Sequence, residues 1–442
     1  MTPPARSLYE PAARIAPRGL PRLLAGLRED GAALTLGEHE RVHGPLPDVD
    51  SQTLIAEVDL AGLRGRGGAD FPTSRKLEAV ARRKRPAAVI VNGSETEPAS
   101  GKDLLLLSQL PHLVLDGALL AARATGAEEI VFKVGDDQPA AMRGLRSAIE
   151  MRPEPVEMSI VAGPRGYVTG EETAVINLLN KGVAVPTLIP PRPFDRGYRG
   201  RPSLVQNPET LAQIALIARF GAAWFRELGT VADPGSVLVT ISGAVPSPGV
   251  YELAFGTAMS DLLDAAGGPS EPLQAVLIGG YFGTWTDAEH AAGLRLARDE
   301  LRSVGCALGS GVIIALGESS CGLHESARLI EYLADQSAAQ CGPCVFGLRA
   351  IADLFTAVTE GIAHESETRR ILRWSDEVRG RGACHHPDGA VRFVQSALRI
   401  FGEDIGAHRR RRCHARPAGL PVPSRSAAGG ATRPARMAPR GA

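Results

Sequence analysis

The sequence predicts an α/β domain, a small α+β module and a C-terminal helical domain, on three observations. Short Val- and Ile-rich runs alternate with helix-length segments between residues 48 and 233. A hairpin-like pair of apolar runs followed by a short helix opens at residue 234. Strand-like alternation stops near residue 326, where helical periodicity takes over. The chain has 442 residues. At about 150 residues per domain it accommodates roughly three domains with cores large enough to dispense with disulfides.

Residues 1–47 are rich in Pro and Arg and read as an irregular lead-in, with one amphipathic stretch at 21–28. Residues 48–233 form the α/β domain. Strands are predicted at 87–92, 129–134 and 156–161, and helices at 73–83, 102–124, 138–151 and 171–180. Strands spaced by helices of this length imply crossover units on a parallel sheet, whose ligands bind in the loops beyond the strand carboxyl ends. In 234–325, the runs 237–241 and 249–253 flank a Gly, Ser and Pro turn, and a helix at 258–266 stops at Gly267 and Gly268. That pattern resembles the ubiquitin-like β-grasp module called SLBB. Residues 326–408 read as several helices carrying Cys341, Cys344 and Cys384, and 409–442 as a tail without fixed structure.

Lys plus Arg and Asp plus Glu both number 49, but 409–442 hold nine arginines and no acid, leaving 40 basic against 49 acidic residues elsewhere. A net acidic body is unsuited to nucleic acid. No stretch approaches 18 uninterrupted apolar residues, and the N-terminus lacks an apolar segment behind a basic start, so neither a transmembrane segment nor a secretory signal is expected. The expected compartment is the cytoplasm. Six cysteines in so long a chain do not make a disulfide framework, and Cys341-x-x-Cys344 points to metal or redox chemistry.

Three loops carry the chemistry. Gly62-Leu63-Arg64-Gly65-Arg66-Gly67-Gly68 leads into a helix: its glycines let backbone amides approach a phosphate, the helix start adds partial positive charge, and Arg64 and Arg66 supply cations. The loop departs from the dinucleotide fingerprint, since Asp70 takes the third glycine position and a helical pattern precedes it. Gly93-Ser94-Glu95-Thr96-Glu97-Pro98 follows the first strand, and Gly166-Tyr167-Val168-Thr169-Gly170-Glu171-Glu172 precedes a helix. The structural alternatives are a Gly-rich turn for the first loop and helix-favouring carboxylates for Glu171 and Glu172. Three such loops on one sheet edge favour a pocket.

The segments GLRGRGGADFPTSRK, VNGSETEP, GYVTGEETA, VQNPETLA and CGPC, in this order over roughly residues 48–400, resemble the flavoprotein subunit of respiratory complex I that binds NADH and FMN. The resemblance implies a Rossmann-like FMN domain, the SLBB module and a helical iron-sulfur domain. It also implies hydride transfer from NADH to FMN and one-electron transfer to an iron-sulfur cluster. By that resemblance, Gly65, Arg66, Gly67, Gly68 and Lys76 hold the flavin phosphate and ribityl chain. Asn92, Ser94, Glu95, Tyr167, Gly170, Glu171 and Glu172 line the ring system, with Gln206 and Asn207 nearby. Phe71, Glu97 and Glu172 face the nicotinamide nucleotide, and Glu97 is the residue assigned to the reacting end. A ferredoxin-like protein or a membrane redox subunit is the implied partner, which would place the chain peripherally at a membrane.

The chain departs from the family in places. Asp70 stands for Gly, and Ser94 for Asp; Ala79 and Arg192 stand for two adenine-stacking phenylalanines, and Ile189 for a nucleotide-contacting lysine. Ala338 occupies the first position of the family's C-x-x-C-x-x-C, leaving Cys341, Cys344 and Cys384 against the four thiolates usual for a [4Fe-4S] centre. A substitute ligand, a three-iron cluster, a zinc site using His385 or His386, and a cluster-free domain are the readings this leaves open. Cys306 and Cys321 read as packing residues, and Cys413 as an exposed thiol in the tail. Two rivals stand beside the NADH–FMN–iron-sulfur reading: an electron-transfer subunit that does not use NADH, and a redox-inactive scaffold.

Overall fold

The computed structural model describes residues 13–15, 19–413, 415 and 418–422. A short strand, β1 (Ala13–Ile15), precedes a first sheet built from β2 (Ala87–Gly93), β3 (Ala127–Gly135), β4 (Glu157–Gly163) and β5 (Ser203–Gln206). The order is β4-β3-β2-β5, and every pairing is parallel. Alternate side chains of β2 serve two cores. Val89 and Val91 join the larger one with Leu113, Leu211 and Ile214, while Ala88 and Ile90 meet Val175, Ile176 and Tyr198 on the opposite face. Both faces are thus covered, as a parallel sheet requires.

The predicted helix at 102–124 is two helices, Lys102–Gln109 and Pro111–Thr125, bent by 94°. Pro111 has no N–H to continue the ladder and drives Leu110 out of helical geometry, to φ −125° and ψ 42°. Both helices are buried. No single described helix is long and apolar enough to cross a membrane. Helices Pro111–Thr125 and Pro208–Phe225 cross at Gly117, where a Cβ would lie 1.9 Å from the Leu211 carbonyl oxygen. Only glycine permits that approach.

In its described residues the lead-in contains one helix and one anchored turn. Helix Leu36–His43 starts with a capping box between Thr35 and Glu38. Its His39 reaches Asp116 at 2.7 Å in a buried network that includes Arg152 and Arg219. Residues 22–24 are gripped by one buried carboxylate: Glu252 accepts the backbone N–H groups of Arg22, Leu23 and Leu24 at 2.9–3.1 Å. Proline-rich composition hides both features, because neither a short helix nor a distant carboxylate leaves a long periodic pattern.

A second sheet contains β6 (Ser236–Gly243), β7 (Gly249–Ala254), β8 (Leu273–Ile278), β9 (Thr284–Asp287) and β10 (Val312–Gly317) in the order β1-β7-β6-β10-β8-β9. β6 and β7 form the expected hairpin, helix Met259–Ala265 packs on it, and β10 returns parallel to β6 in the centre. One face, with Val239, Ile241, Tyr251 and Leu262, closes the module's own core. The other face gives Leu277, Val312, Ile314 and Leu316 to the helical domain.

The helical domain comprises Gly322–Asp335, Pro343–Leu348, Arg349–Thr359, Thr368–Val378, His386–Phe401 and Ile405–Arg409. The chain beyond it, expected to lack fixed structure, returns to this domain in its described part. Leu420 is buried, and Glu325 accepts the N–H groups of Gly419 and Leu420 at 3.2 and 3.3 Å. The rest of the expected tail, residues 414, 416, 417 and 423–442, lies outside the described residues.

Candidate functional site

The Gly-rich loop is a closed turn. Gly65 N–H donates to the Phe71 carbonyl and Thr73 N–H to the Leu63 carbonyl, both at 2.9 Å, before helix Thr73–Ala81 begins. Asp70 has φ +49°, a conformation that favours the glycine of the family pattern. Asp tolerates the left-handed region better than most residues, and Arg64 pairs with its carboxylate at 2.9 Å. Arg66 is buried beneath the loop, where it lines the space between the loop and the second sheet. Its N–H donates to Thr210 Oγ1 at 2.9 Å, and its guanidinium lies 4.7 Å from the Phe255 ring centroid and 3.9 Å from Glu209. It fastens the loop to the second sheet.

The loop's other side faces the remaining motifs. A Cβ on Gly67 would lie 3.4 Å from Asn207 Cβ. Asn207 caps helix Pro208–Phe225 and donates to Asp103 at 2.7 Å. Lys76 donates to Glu172 at 3.1 Å and to the Val205 carbonyl, one residue before Gln206, at 3.2 Å. Asn92, at the end of β2, donates to the Gly170 carbonyl at 2.8 Å, and a Cβ on Gly170 would meet Thr96 at 3.0 Å. The segments around positions 66, 95 and 171 therefore meet at the carboxyl ends of the first sheet.

Charged groups here are differently employed. Glu95 turns inward to cap the next helix, accepting from Ser100 and from the N–H groups of Asp103 and Leu104. Burial, with Asp103 nearby, pushes its carboxyl up to about 7. Glu97 accepts from Tyr167 Oη at 2.7 Å and Tyr281 N–H at 2.9 Å, and burial raises it to about 7 as well. Glu171 caps helix Glu172–Lys181 by accepting from Thr173 and Ala174 N–H, the helix-favouring alternative, while Glu172 turns to Lys76. Lys133 is among the charged groups missing from the sequence-based site: buried on β3, it donates to Ser94 Oγ, and burial lowers its pKa to about 8. A lysine inside the apolar run Ile130–Val134 is the available signal.

The residues fit a flavin. Asn92 Oδ1, Gln206 Nε2 and Glu97 Oε1 are buried polar atoms with no hydrogen-bond partner, at or just beyond these strand ends. Such atoms are costly unless a ligand satisfies them. Two clefts adjoin the loops. One of about 230 Å³ lies between the Gly-rich loop and the second sheet, lined by Gly65, Arg66, Gly68, Asp70, Phe255 and Arg298. It excludes Asn92, Glu171 and Glu172. The other, about 30 Å³, adjoins Ser94, Glu95, Lys133 and Tyr332. Phe71 is 49% exposed, and Ile189 and Arg192 are exposed as well.

The loop at 166–172 also touches the cysteine domain. Tyr167 N–H donates to Gln336 Oε1 at 2.9 Å, and the Tyr167 ring lies 4.6 Å from Phe282 and 6.0 Å from His386 by centroids. Cys341, Cys344 and Cys384 come together: burial raises the Cys344 pKa, and the neighbouring Cys341 and Cys384 raise it further. Cys384 is likewise raised by burial, then by Glu171 and Cys341. Three thiols within one another's field fit an iron-sulfur centre with three protein thiolates. Ala338 supplies no fourth. His385 is exposed, whereas His386 is buried, with Nε2 on the Leu333 carbonyl at 2.8 Å and Nδ1 unpartnered.

Comparison with known proteins places these features. Family models match at residues 58–216 (Nuo51 FMN-binding domain), 238–280 (SLBB domain) and 324–408 (NADH-ubiquinone oxidoreductase-F iron-sulfur binding region). The chain is 30% identical over 396 residues to the NADH-quinone oxidoreductase F-subunit 2 of Rhizobium meliloti, covering 85% of this chain and 94% of that one. It is 30% identical over 371 residues to the NADH-quinone oxidoreductase F-subunit of Streptomyces coelicolor, covering 80% and 82%. Among solved structures it is similar to a chain of an NAD+-reducing [NiFe]-hydrogenase in the H2-reduced state, with TM-score 0.76 and 30% identity. That match covers 81% of this chain and 63% of the hydrogenase chain.

Proposed function

The chain belongs to the NADH-quinone oxidoreductase F-subunit family, and from that premise we propose that it oxidises NADH through FMN and passes electrons to an iron-sulfur centre held by Cys341, Cys344 and Cys384. When bound, FMN accepts a hydride from NADH and yields its electrons one at a time to the cluster. The protein's part is to bind, orient and insulate. Lys76 supplies a fixed cation between the Gly-rich loop's helix and Glu172, suited to the flavin phosphate. Gly65, Gly67 and Gly68 leave room for backbone approach on one side, and Gly170 on the other. Asn92 and Gln206 offer their unpartnered polar atoms to the ring system. Glu97, protonated below about pH 7, shares a hydrogen bond with Tyr167 and can hold a proton on this side of the site.

The observation that carries this reading is the position of the 166–172 loop. It contacts β2 through Gly170 and the thiol domain through Tyr167, with Glu171 close enough to Cys384 to raise its pKa. A redox subunit of a larger assembly is the partner such a chain implies, ferredoxin-like or membrane-bound, with the chain cytoplasmic and peripheral. The test is anaerobic addition of NADH to the purified protein while flavin absorbance is followed. Bleaching at millimolar NADH supports the proposal; its absence overturns the donor assignment. A second reading, with electrons arriving from a reduced partner protein, draws on three residue types: Ala79, Ile189 and Arg192 offer the adenine neither aromatic ring nor lysine. In that case dithionite bleaches the flavin and NADH does not.

A further inference from the structure

A second cysteine group lies elsewhere in the helical domain. Cys321 Sγ faces His408 Nε2 at 3.2 Å, and Cys413 completes a set whose three ligand atoms all lie within 4.8 Å of one another. Cys321 caps the start of helix Gly322–Asp335, whereas the iron-sulfur thiols follow its end. A helix of 14 residues spans roughly 20 Å at 1.5 Å per residue, so the two groups are separate. Sequence alone suggests packing for Cys321 and exposure for Cys413. The structure instead half-buries Cys413 against the domain core, and Cys321 is buried.

The contacts of His408 and Cys321 orient both donors for a metal. His408 Nδ1 lies 2.6 Å from the Thr359 carbonyl oxygen. A carbonyl only accepts, so the ring proton sits on Nδ1 and the Nε2 lone pair points at the sulfur. A backbone carbonyl behind the ring is a usual orienting partner of a ligating histidine. Cys321 Sγ also accepts the His324 N–H at 3.3 Å, which fixes the sulfur at the start of the helix. The set contains no carboxylate, and two thiolates with one imidazole select zinc over the hard cations. Ligand atoms this close suit one ion rather than a cluster.

We propose that Cys321, His408 and Cys413 bind a single zinc ion, with water as fourth ligand. Binding releases one proton from each thiol and none from the imidazole, whose Nε2 carries no proton. The ion would tie the last helix and the segment after it to the start of helix Gly322–Asp335, holding the returning chain where Leu420 docks.

Metal analysis of the full-length protein, purified anaerobically with a thiol reductant and no chelator, tests this. The expected result is about one zinc per chain alongside iron. Cys344→Ser should lower iron and leave zinc; Cys321→Ser and Cys413→Ser should lower zinc and leave flavin and iron. Loss of a ligand should cost at least the roughly 10- to 100-fold in affinity that an outer-shell partner costs. Should those variants fail to fold, cobalt replacement in the unmodified protein reads the site directly, through thiolate-to-cobalt absorption that a zinc excess removes. Absence of zinc after incubation with a zinc salt, zinc unchanged in the Cys321→Ser/Cys413→Ser double variant, or a Cys321–Cys413 disulfide in the reduced preparation would each overturn the proposal.

Discussion

At the ends of the first sheet the polar side chains already hold one another: Glu95 with the Lys102–Gln109 helix, Asn207 with Asp103, Lys76 with Glu172, Asn92 with the Gly170 carbonyl. Across the 166–172 loop the arrangement differs. Burial raises the pKa of both Cys344 and Cys384, and neighbouring thiols raise it further. The first region is a distributed scaffold, in which each group has several neighbours and a loss is shared. The second depends on very few donors, and each is indispensable.

The largest effect that would test this contrast is Cys344→Ser. All iron-sulfur signal in the electron paramagnetic resonance spectrum of the reduced protein should vanish while flavin content stays intact, because two thiolates do not hold a cluster. Survival of the signal would place the ligands elsewhere. Lys76→Met should leave the fold unchanged and weaken FMN about ten- to a hundredfold by titration, the range expected for one charge-assisted hydrogen bond. A smaller gain is expected from Ala338→Cys, which offers the missing thiolate: iron per chain retained after exposure to air should rise.

Two pH effects complete the comparison. Lys133 has its pKa lowered to about 8 by burial, so the unfolded chain binds the extra proton between 8 and its ordinary 10.5. Unfolding free energy should therefore rise with pH across that window, the cost of burying the ammonium being felt in full below 8. Ser94→Asp would pair with the ammonium and flatten the rise in denaturant titrations. Glu97 works in the other direction. Its carboxyl, raised to about 7, binds a proton in the folded state between 4.5 and 7, so its contribution is present below 4.5 and lost as pH climbs through 7. Glu97→Gln should remove that decline and any step near pH 7 in the rate of NADH oxidation.

Much of the first region is legible in the sequence because its chemistry sits in loops with their own composition. Glycines at 65, 67 and 68, the polar run after β2 and the turn before helix Glu172–Lys181 announce themselves without tertiary information. What each charge does is not legible. Arg66 reads as a phosphate cation, and its packing against Phe255 and Glu209, far along the chain, does not show in the sequence. β5, four residues long, is too short for a period to show. Cys413 looks solvated amid arginines, and only the return of the chain to Glu325, with Leu420 buried, shows otherwise.

The second sheet has no face to spare: Val239 and Ile241 look into its own module while Leu277 and Ile314 look into the helical domain. Excising the module would therefore leave the thiol helices with a wall missing and oily side chains facing solvent. The piece that resembles a detachable adaptor is a keystone. Engineers seeking a minimal electron wire from this protein should shorten its surface loops and keep that stone in the arch.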